Sequence, residues 1–380
     1  MTYTVAIIGT GANPDEPGRE GYAMAYRHAS GYGRLDDCEL LACADIVHEN
    51  AEVFAARFDI DHAFEDYERM LEAIEPDVVS VCVPPAIHAE LVIGCAESGV
   101  VDAIHCEKPM AETWGECREM ATACESHGVQ LTINHQMRFG VPYRKAKTLL
   151  DRGRIGELQR LEFAEEHLYD SGTHLFDLCN YYAGEAAVEW VLAQVEYREE
   201  NLWFGTHNEN QALAQWKYDD GVFGLASAGY GTSFVDCYLR LIGSEGTIEI
   251  GAPGSSVLRV RRDGSNWNFP DTSHDGIYGP EPSLLRAGLR KLAGKASERI
   301  ETAVAIPSYT ERAIADTVRA LRENREPELS ASRALRATEL IFASWESARR
   351  RGRIDLPLSI EDNPLAAMVE SGQLQPDPRE

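Results

Sequence analysis

The apolar run Val5 to Ile8 begins close to the start of the chain and breaks on Gly9-Thr10-Gly11. A buried strand that runs straight into glycine must turn sharply, and similar punctuation recurs downstream. Glu39 to Ala44 is closed by Asp45, Val78 to Val83 is stopped by Pro84-Pro85, and Ala103 to Cys106 leads into Glu107-Lys108-Pro109. Segments with helical spacing lie between, at 21–30, 49–58, 66–74, 88–98 and 113–127, and 130–134 reads as one more strand. This alternation with short loops predicts an α/β fold over residues 1–135, a parallel sheet covered on both faces of the kind that binds dinucleotides.

The pattern changes after residue 135. A helix is predicted over 142–151, an alternating strand over 158–165 and a short helix over 173–182. Two hairpin signals follow: 211–218 and 222–228 flank Asp219-Asp220-Gly221, and 238–242 and 247–250 flank a second turn. Residues 251–283 are rich in Gly, Pro, Ser and Asp and read as loop, with helices at 308–323 and 332–351. These features predict a C-terminal α+β domain over 136–358 with a large open, mostly antiparallel sheet. A loosely ordered tail is expected over 359–380.

Composition narrows the partners. Among 380 residues, 62 are acidic and 36 basic, a formal net charge of −26, and only six of the basic residues are lysine. That charge repels a phosphate backbone and anionic lipid, so neither nucleic acid nor membrane is an expected partner. With 44% hydrophobic residues, the chain is not expected to be disordered. No apolar run is long enough to cross a bilayer, and the early first strand leaves no room for a signal peptide. The nine cysteines form no Cys-x-x-Cys pair. They read as reduced thiols of a cytoplasmic protein, not as a metal or disulfide framework.

Four places carry chemistry. Gly9 and Gly11 stand where a dinucleotide fold needs a tight turn and close backbone approach. The third glycine of that pattern is missing. An insertion at 13–20 takes its place, Gly21 is expected at the helix start, and Arg19 is a possible phosphate contact. Asp45, ending the second strand, suits the adenine-ribose hydroxyls and would repel a 2′-phosphate, which favours NAD over NADP. Lys108 follows a later strand, where its ammonium can support a developing alkoxide. In Asp170-Ser-Gly-Thr-His174-Leu-Phe-Asp177, positions 170, 174 and 177 share one face if the segment is helical. The residues alone leave three readings of this set open: an acid/base pair, a metal site with His167, or a helix cap.

Taken in order, these motifs resemble the Gfo/Idh/MocA family of oxidoreductases, which includes glucose–fructose oxidoreductase and inositol 2-dehydrogenase. The run Cys82-Val83-Pro84-Pro85-Ala86-Ile87-His88, Glu107-Lys108-Pro109, Arg138-Phe139 with Tyr143-Arg144, and Asp170 with His174 carry the resemblance, over roughly residues 3 to 357. It implies a Rossmann domain, a C-terminal domain whose sheet joins subunits into a homodimer or homotetramer, and a small carbohydrate substrate. It implies Lys108, Asp170 and His174 as catalytic residues and no metal. Gly9, Gly11, Ala12, Asp45, Pro84, His88, Glu107 and Lys108 would serve the cofactor, and Arg138 and Asp177 the substrate. A cis Lys108–Pro109 bond is part of the same expectation. So is hydride transfer between nicotinamide and a secondary hydroxyl, with His174 as base. A non-catalytic dinucleotide sensor and a redox-neutral NAD-dependent lyase or glycosidase are the rival readings. Loops at 198–210 and 251–283, with Trp203, His207, Trp267 and His274, are expected to shape the substrate pocket.

An acid-rich, lysine-poor surface is one that salt screens and keeps hydrated. An unfolding series in KCl is expected to show the fold weakening as salt is withdrawn; indifference to KCl would exclude adaptation to high salt.

Overall fold

The computed structural model describes residues 2–14, 23–254, 256–280 and 306–376. Its contacts divide the chain into two compact units. The first comprises Met1–Met110, Glu119–Gln136 and Gly279–Ala331, and the second comprises Ala111–Arg118, Met137–Tyr278 and Ser332–Glu380. The expected boundary at 135/136 thus has two exceptions: residues 111–118 group with the second unit, and 279–331 return to the first.

The first unit is built on a six-stranded parallel sheet in the order β3-β2-β1-β4-β5-β6. The strands are β1 (Tyr3–Ile8), β2 (Cys38–Ala44), β3 (His62–Phe64), β4 (Val78–Val81), β5 (Ala103–Cys106) and β6 (Gln130–Ile133). Between them run α1 (Met24–Tyr32), α2 (His48–Phe58), α3 (Tyr67–Ile74), α4 (His88–Glu97) and α5 (Trp114–His127). Every residue of β4 and β5 is buried, as expected for strands covered on both faces. β3, absent from the sequence reading, is three residues long and contains a histidine, so it shows no apolar run.

The second unit holds an eight-stranded sheet in the order β15-β14-β13-β7-β12-β11-β8-β16. Its strands are β7 (Leu158–Glu165), β8 (Val188–Glu196), β11 (Gln211–Tyr218), β12 (Phe223–Gly229), β13 (Leu239–Gly243), β14 (Gly246–Ile250), β15 (Leu258–Arg262) and β16 (Ile354–Asp355). β9 (Leu202–Trp203) and β10 (Thr206–His207) form a separate ribbon. Only β7 and β12 pair in parallel, so the sheet is mostly antiparallel, as expected. The stretch 251–283 is not all loop, because β15 lies within it and pairs with β14. α6 (Val141–Asp151) and α7 (Thr173–Tyr182) belong to this unit. Phe163 of β7 meets Phe176 of α7 edge-on at 5.0 Å, and Phe176 packs on Trp216 of β11 at 5.2 Å. The outward positions of β8 and β11 include Leu192 and Leu213, both exposed.

Three helices follow: α8 (Tyr309–Glu323), α9 (Ala331–Arg350) and α10 (Pro364–Glu370). α8 starts with a capping box between Ser308 and Glu311. Sequence reading placed it in the C-terminal domain, yet it completes the first unit. Its Ile314 and Val318 share a core with Tyr3, Val5 and Tyr32, and Glu311 pairs with Arg34 at 2.7 Å. The expected loose tail is also corrected. α10 buries Leu365 and Met368, and Asn363 caps it while donating to the Glu112 carbonyl at 2.9 Å.

One close approach can be tested directly. Gly224 on β12 sits where a Cβ would overlap the indole of Trp216, which is fully buried. Gly224→Ala should cost about 1–3 kcal/mol by overpacking, a fall in melting temperature of roughly 2–4 °C per kcal/mol for a unit of this size. A thermal melt unchanged from the parent would show that the sheet yields freely at this point.

Candidate functional site

The carboxyl ends of β1, β2, β4 and β5 gather most of the expected cofactor residues within the first unit. Gly9 has φ 84°, and a Cβ there would overlap the Val83 side chain, so no other residue fits without movement. Gly11, with φ 64°, is exposed and has open space beside it. Asp45 does end β2, and the structure shows what holds it. Its Oδ2 accepts from the Gly11 amide at 2.8 Å and the Thr10 hydroxyl at 3.1 Å, and its Oδ1 accepts from the Val47 amide at 2.9 Å. Ala12 is half-buried in the same loop. Gly21, Arg19 and residues 15–20 of the insertion lie outside the described residues.

Pro84 leads into a single turn, Pro85–Ile87, and then into α4. His88, expected at the cofactor, is instead turned into the protein. Its Nδ1 lies 2.9 Å from the Pro109 carbonyl and 3.3 Å from that of Met110, and its Nε2 lies 2.8 Å from the Val83 carbonyl. It fastens the β4 loop to the β5 loop. Burial pushes its pKa down.

Glu107 and Lys108 stand at the end of β5, and the Lys108–Pro109 bond is cis. Lys108 is half-buried, whereas Glu107 is only 5% exposed. The Glu107 carboxylate accepts from Asn134 Nδ2 at 2.6 Å and lies 2.8 Å from His28 Nε2. Burial alone would raise its pKa. The bond and charge of His28, then Asn134 and Lys108, outweigh that and hold it down at about 2. His28 and Asn134 escaped the sequence reading because nothing in their local pattern marks them; only the sheet brings them to Glu107.

The other expected residues lie in the second unit. α7 begins at Thr173, so Asp170 sits in the preceding turn and not on the helix with His174 and Asp177. Both Asp170 and His174 are buried. Tyr169 donates to the Ala111 carbonyl at 2.7 Å. The Leu168 amide donates to Glu209 Oε1 at 2.6 Å, and Trp345 Nε1 donates to Glu209 Oε2 at 2.9 Å. Glu209 thus anchors the turn that carries Asp170, and it too was missed.

Arg138 and Asp177, expected at the substrate, are bound to each other. Arg138 Nε meets Asp177 Oδ2 at 2.6 Å, Nη2 meets Oδ1 at 2.8 Å, and Nη1 meets Glu185 at 2.7 Å. Burial opposes the guanidinium charge, but Asp177 and then Glu185 more than offset it and raise the Arg138 pKa. The fork geometry and burial mark a structural clamp. With both Asp177 oxygens on Arg138, the metal reading loses a ligand; among the described residues no three His, Cys, Asp or Glu converge as a metal-binding group. Of the pocket candidates, Trp267 lies between Arg259 at 4.2 Å and Arg261 at 4.5 Å, and His207 meets the Tyr197 hydroxyl at 2.7 Å. Trp203 is exposed beside Phe204, and His274 has φ 70°.

Comparison with known proteins agrees with the geometry. Residues 3–135 match the description "Oxidoreductase family, NAD-binding Rossmann fold", and residues 159–356 match "Oxidoreductase family, C-terminal alpha/beta domain". D-glucoside 3-dehydrogenase of Escherichia coli is 28% identical over 60% of this chain, and the chain spans 65% of that protein's length. D-apiose dehydrogenase of Paraburkholderia graminis is 24% identical over 92% of this chain and 91% of its own. An oxidoreductase of Agrobacterium radiobacter, solved with NAD+, L-tartaric acid and magnesium, superposes with a TM-score of 0.70 at 18% identity. That match covers 97% of this chain and 100% of that one, a likeness of fold.

Acid stability follows from the buried histidines. Burial, and next the charge of His28, hold His105 at about 3. An unfolded histidine titrates near 6.5. Between those values the unfolded chain binds the extra proton, so stability falls as pH drops through this window. The expected slope is on the order of 1 kcal/mol per pH unit for one such group. Glu107 adds to the loss below about 4.5, the ordinary glutamate value, until its folded value of about 2 is reached. Urea midpoints measured from pH 7 to 4 should show the decline, with a shallower slope in His105→Gln; equal slopes would remove His105 from the account.

Proposed function

Because the chain belongs to the Gfo/Idh/MocA oxidoreductase family, we propose that it is an NAD-dependent dehydrogenase acting on a secondary hydroxyl of a sugar or polyol. The observation that carries this reading is the match to both family domains, with Lys108 placed at the carboxyl end of the first unit's sheet. That edge is where open α/β sheets bind their ligands. The residues present fit the dinucleotide. Gly11 offers room for close approach, and the fixed Asp45 carboxylate suits ribose hydroxyls and opposes a 2′-phosphate.

The nicotinamide ring, when bound, supplies hydride acceptance and return. The protein handles the proton. His174 takes it from the substrate hydroxyl as general base, and Asp170 orients the imidazole and stabilises its charged form. Lys108 holds the reacting oxygen. Pro109 and Met110 alone separate Lys108 from Ala111, whose carbonyl receives Tyr169, the neighbour of Asp170. Arg138 and Asp177 serve by keeping α7 in place.

Two finer assignments go with this reading. The exposed leucines on the outward face of β8 and β11, Leu192 and Leu213, suit a subunit contact through the open sheet, giving a homodimer or homotetramer. All nine cysteines are free thiols, which suits the cytoplasm.

The test is a panel of aldoses, inositols and sugar acids with NAD, following NADH absorbance. Lys108→Ala and His174→Ala should each lower kcat by roughly a hundredfold or more while still binding NAD. Full turnover in both would remove the assignment. Tightly retained NAD with product formed and no net NADH would redirect it to redox-neutral chemistry.

A further inference from the structure

The mechanism leaves unused a buried polar cluster beneath Lys108. Glu107 and His28 are an acid and a base sealed inside the first unit, with His28 fully buried. His28 comes from α1, Ser80 and Cys82 from the end of β4, Glu107 from β5, and Asn134 from the end of β6. The bonds form one directed chain. The Tyr32 hydroxyl lies 2.9 Å from Ser80 Oγ, which lies 3.1 Å from His28 Nδ1, and His28 Nε2 lies 2.8 Å from Glu107 Oε1. His28 Nε2 donates to the carboxylate, and the Ser80 and Tyr32 hydroxyls continue the chain from Nδ1. Asn134 Nδ2 donates to the same oxygen at 2.6 Å, and Glu107 Oε2 receives the backbone N–H of Lys108 at 3.2 Å.

We propose that His28 and Asn134 act through the Glu107 carboxylate as positioning residues for Lys108, tying the first helix of the dinucleotide fold to the catalytic lysine. The inference rests on the assignment of Lys108 above. It goes further, because it makes a helix that follows the glycine loop part of the catalytic alignment. A carboxylate so placed does two things for Lys108. It fixes the backbone amide of Lys108 itself, and it sets a permanent negative charge beside the ammonium of that residue. The charge is permanent because burial does not neutralise it: His28, Asn134 and Lys108 keep it ionised. Other titratable groups facing Glu107 are Cys82 from the end of β4, His105 and Cys106 from β5, and His88 from α4. Burial keeps both thiols protonated and pushes the pKa of both imidazoles down, so none of them competes with Glu107 for the lysine.

The experiment uses the full chain with NAD and the best substrate of the panel. Glu107→Gln keeps the shape and removes the charge. Its kcat should fall roughly ten- to a hundredfold with the KM for NAD within about threefold, a split expected of misplaced alignment. His28→Leu should lower kcat likewise, and His28→Gln, which restores a donor to the carboxylate, should recover most of it. These histidine variants carry the test if Glu107→Gln does not fold. Native kcat in Glu107→Gln, or equal losses in the two histidine variants, would overturn the inference. Lys108→Ala separates the failures. If it turns over normally, the assignment of Lys108 is wrong; if it is dead while Glu107→Gln and His28→Leu are native, only the positioning role is wrong.

Discussion

A carboxylate in the dry end of a parallel sheet has to be compensated or it will take up a proton. Glu107 meets that condition through His28 and Asn134, and much of the first unit's geometry follows from the bonds it makes. The bond to His28 ties α1 to the end of β5, and the bond from Asn134 ties the end of β6 to it. His88, one loop away, closes the remaining side by taking hold of the Pro109, Met110 and Val83 carbonyls. Lys108 therefore stands between two buried side-chain clamps, on a segment with little freedom to reorient. Preorganisation of this kind spares an enzyme the cost of ordering its own machinery at each turnover.

Much of the fold was legible because short buried strands and their stops are local signals. β5, β7, β11 and α7 occupy the residues their periodicity predicts, and β1, β4 and α8 are within two residues. What was not legible depends on distant partners. The side on which α8 packs is decided by Ile314 and Val318 meeting Tyr3 and Tyr32, far apart in sequence. β15 reads as loop because its alternation includes three arginines, which count as polar but serve the sheet. α10 is only seven residues long and is fixed by Asn363, a cap whose other bond goes to Glu112.

The candidate site divides in the same way. Glycines after a strand and an acid at the next strand's end follow from the needs of the fold, so Gly9, Gly11 and Asp45 could be singled out by position, and the structure joins Gly11 to Asp45. Pairing is a tertiary fact. Arg138 and Asp177 have the chemistry of substrate ligands and are bound to each other instead. Glu209 looks like any surface glutamate in a polar loop, but it is wholly buried on a backbone amide and an indole.

The charge of −26 has a similar hidden side. Part of the arginine works in a cross-strand network. Arg240 on β13 serves Glu249 at 2.6 Å, Glu162 at 3.0 Å and Asp236 at 2.5 Å, and Arg259 on β15 reaches the other Glu249 oxygen at 2.6 Å. A planar fork can bridge three carboxylates at once, whereas an ammonium cannot hold that geometry. The acidic residues are thus partly built into the sheet. The same economy bears on Asp45. Three hydrogen bonds from its own loops hold that carboxylate. A ribose diol meeting it would find acceptors already aimed, while a 2′-phosphate would meet an anion held in place by those bonds. In the reading proposed here, selectivity for NAD comes from the rigidity of one carboxylate and not from the protein's total charge, which repels either dinucleotide.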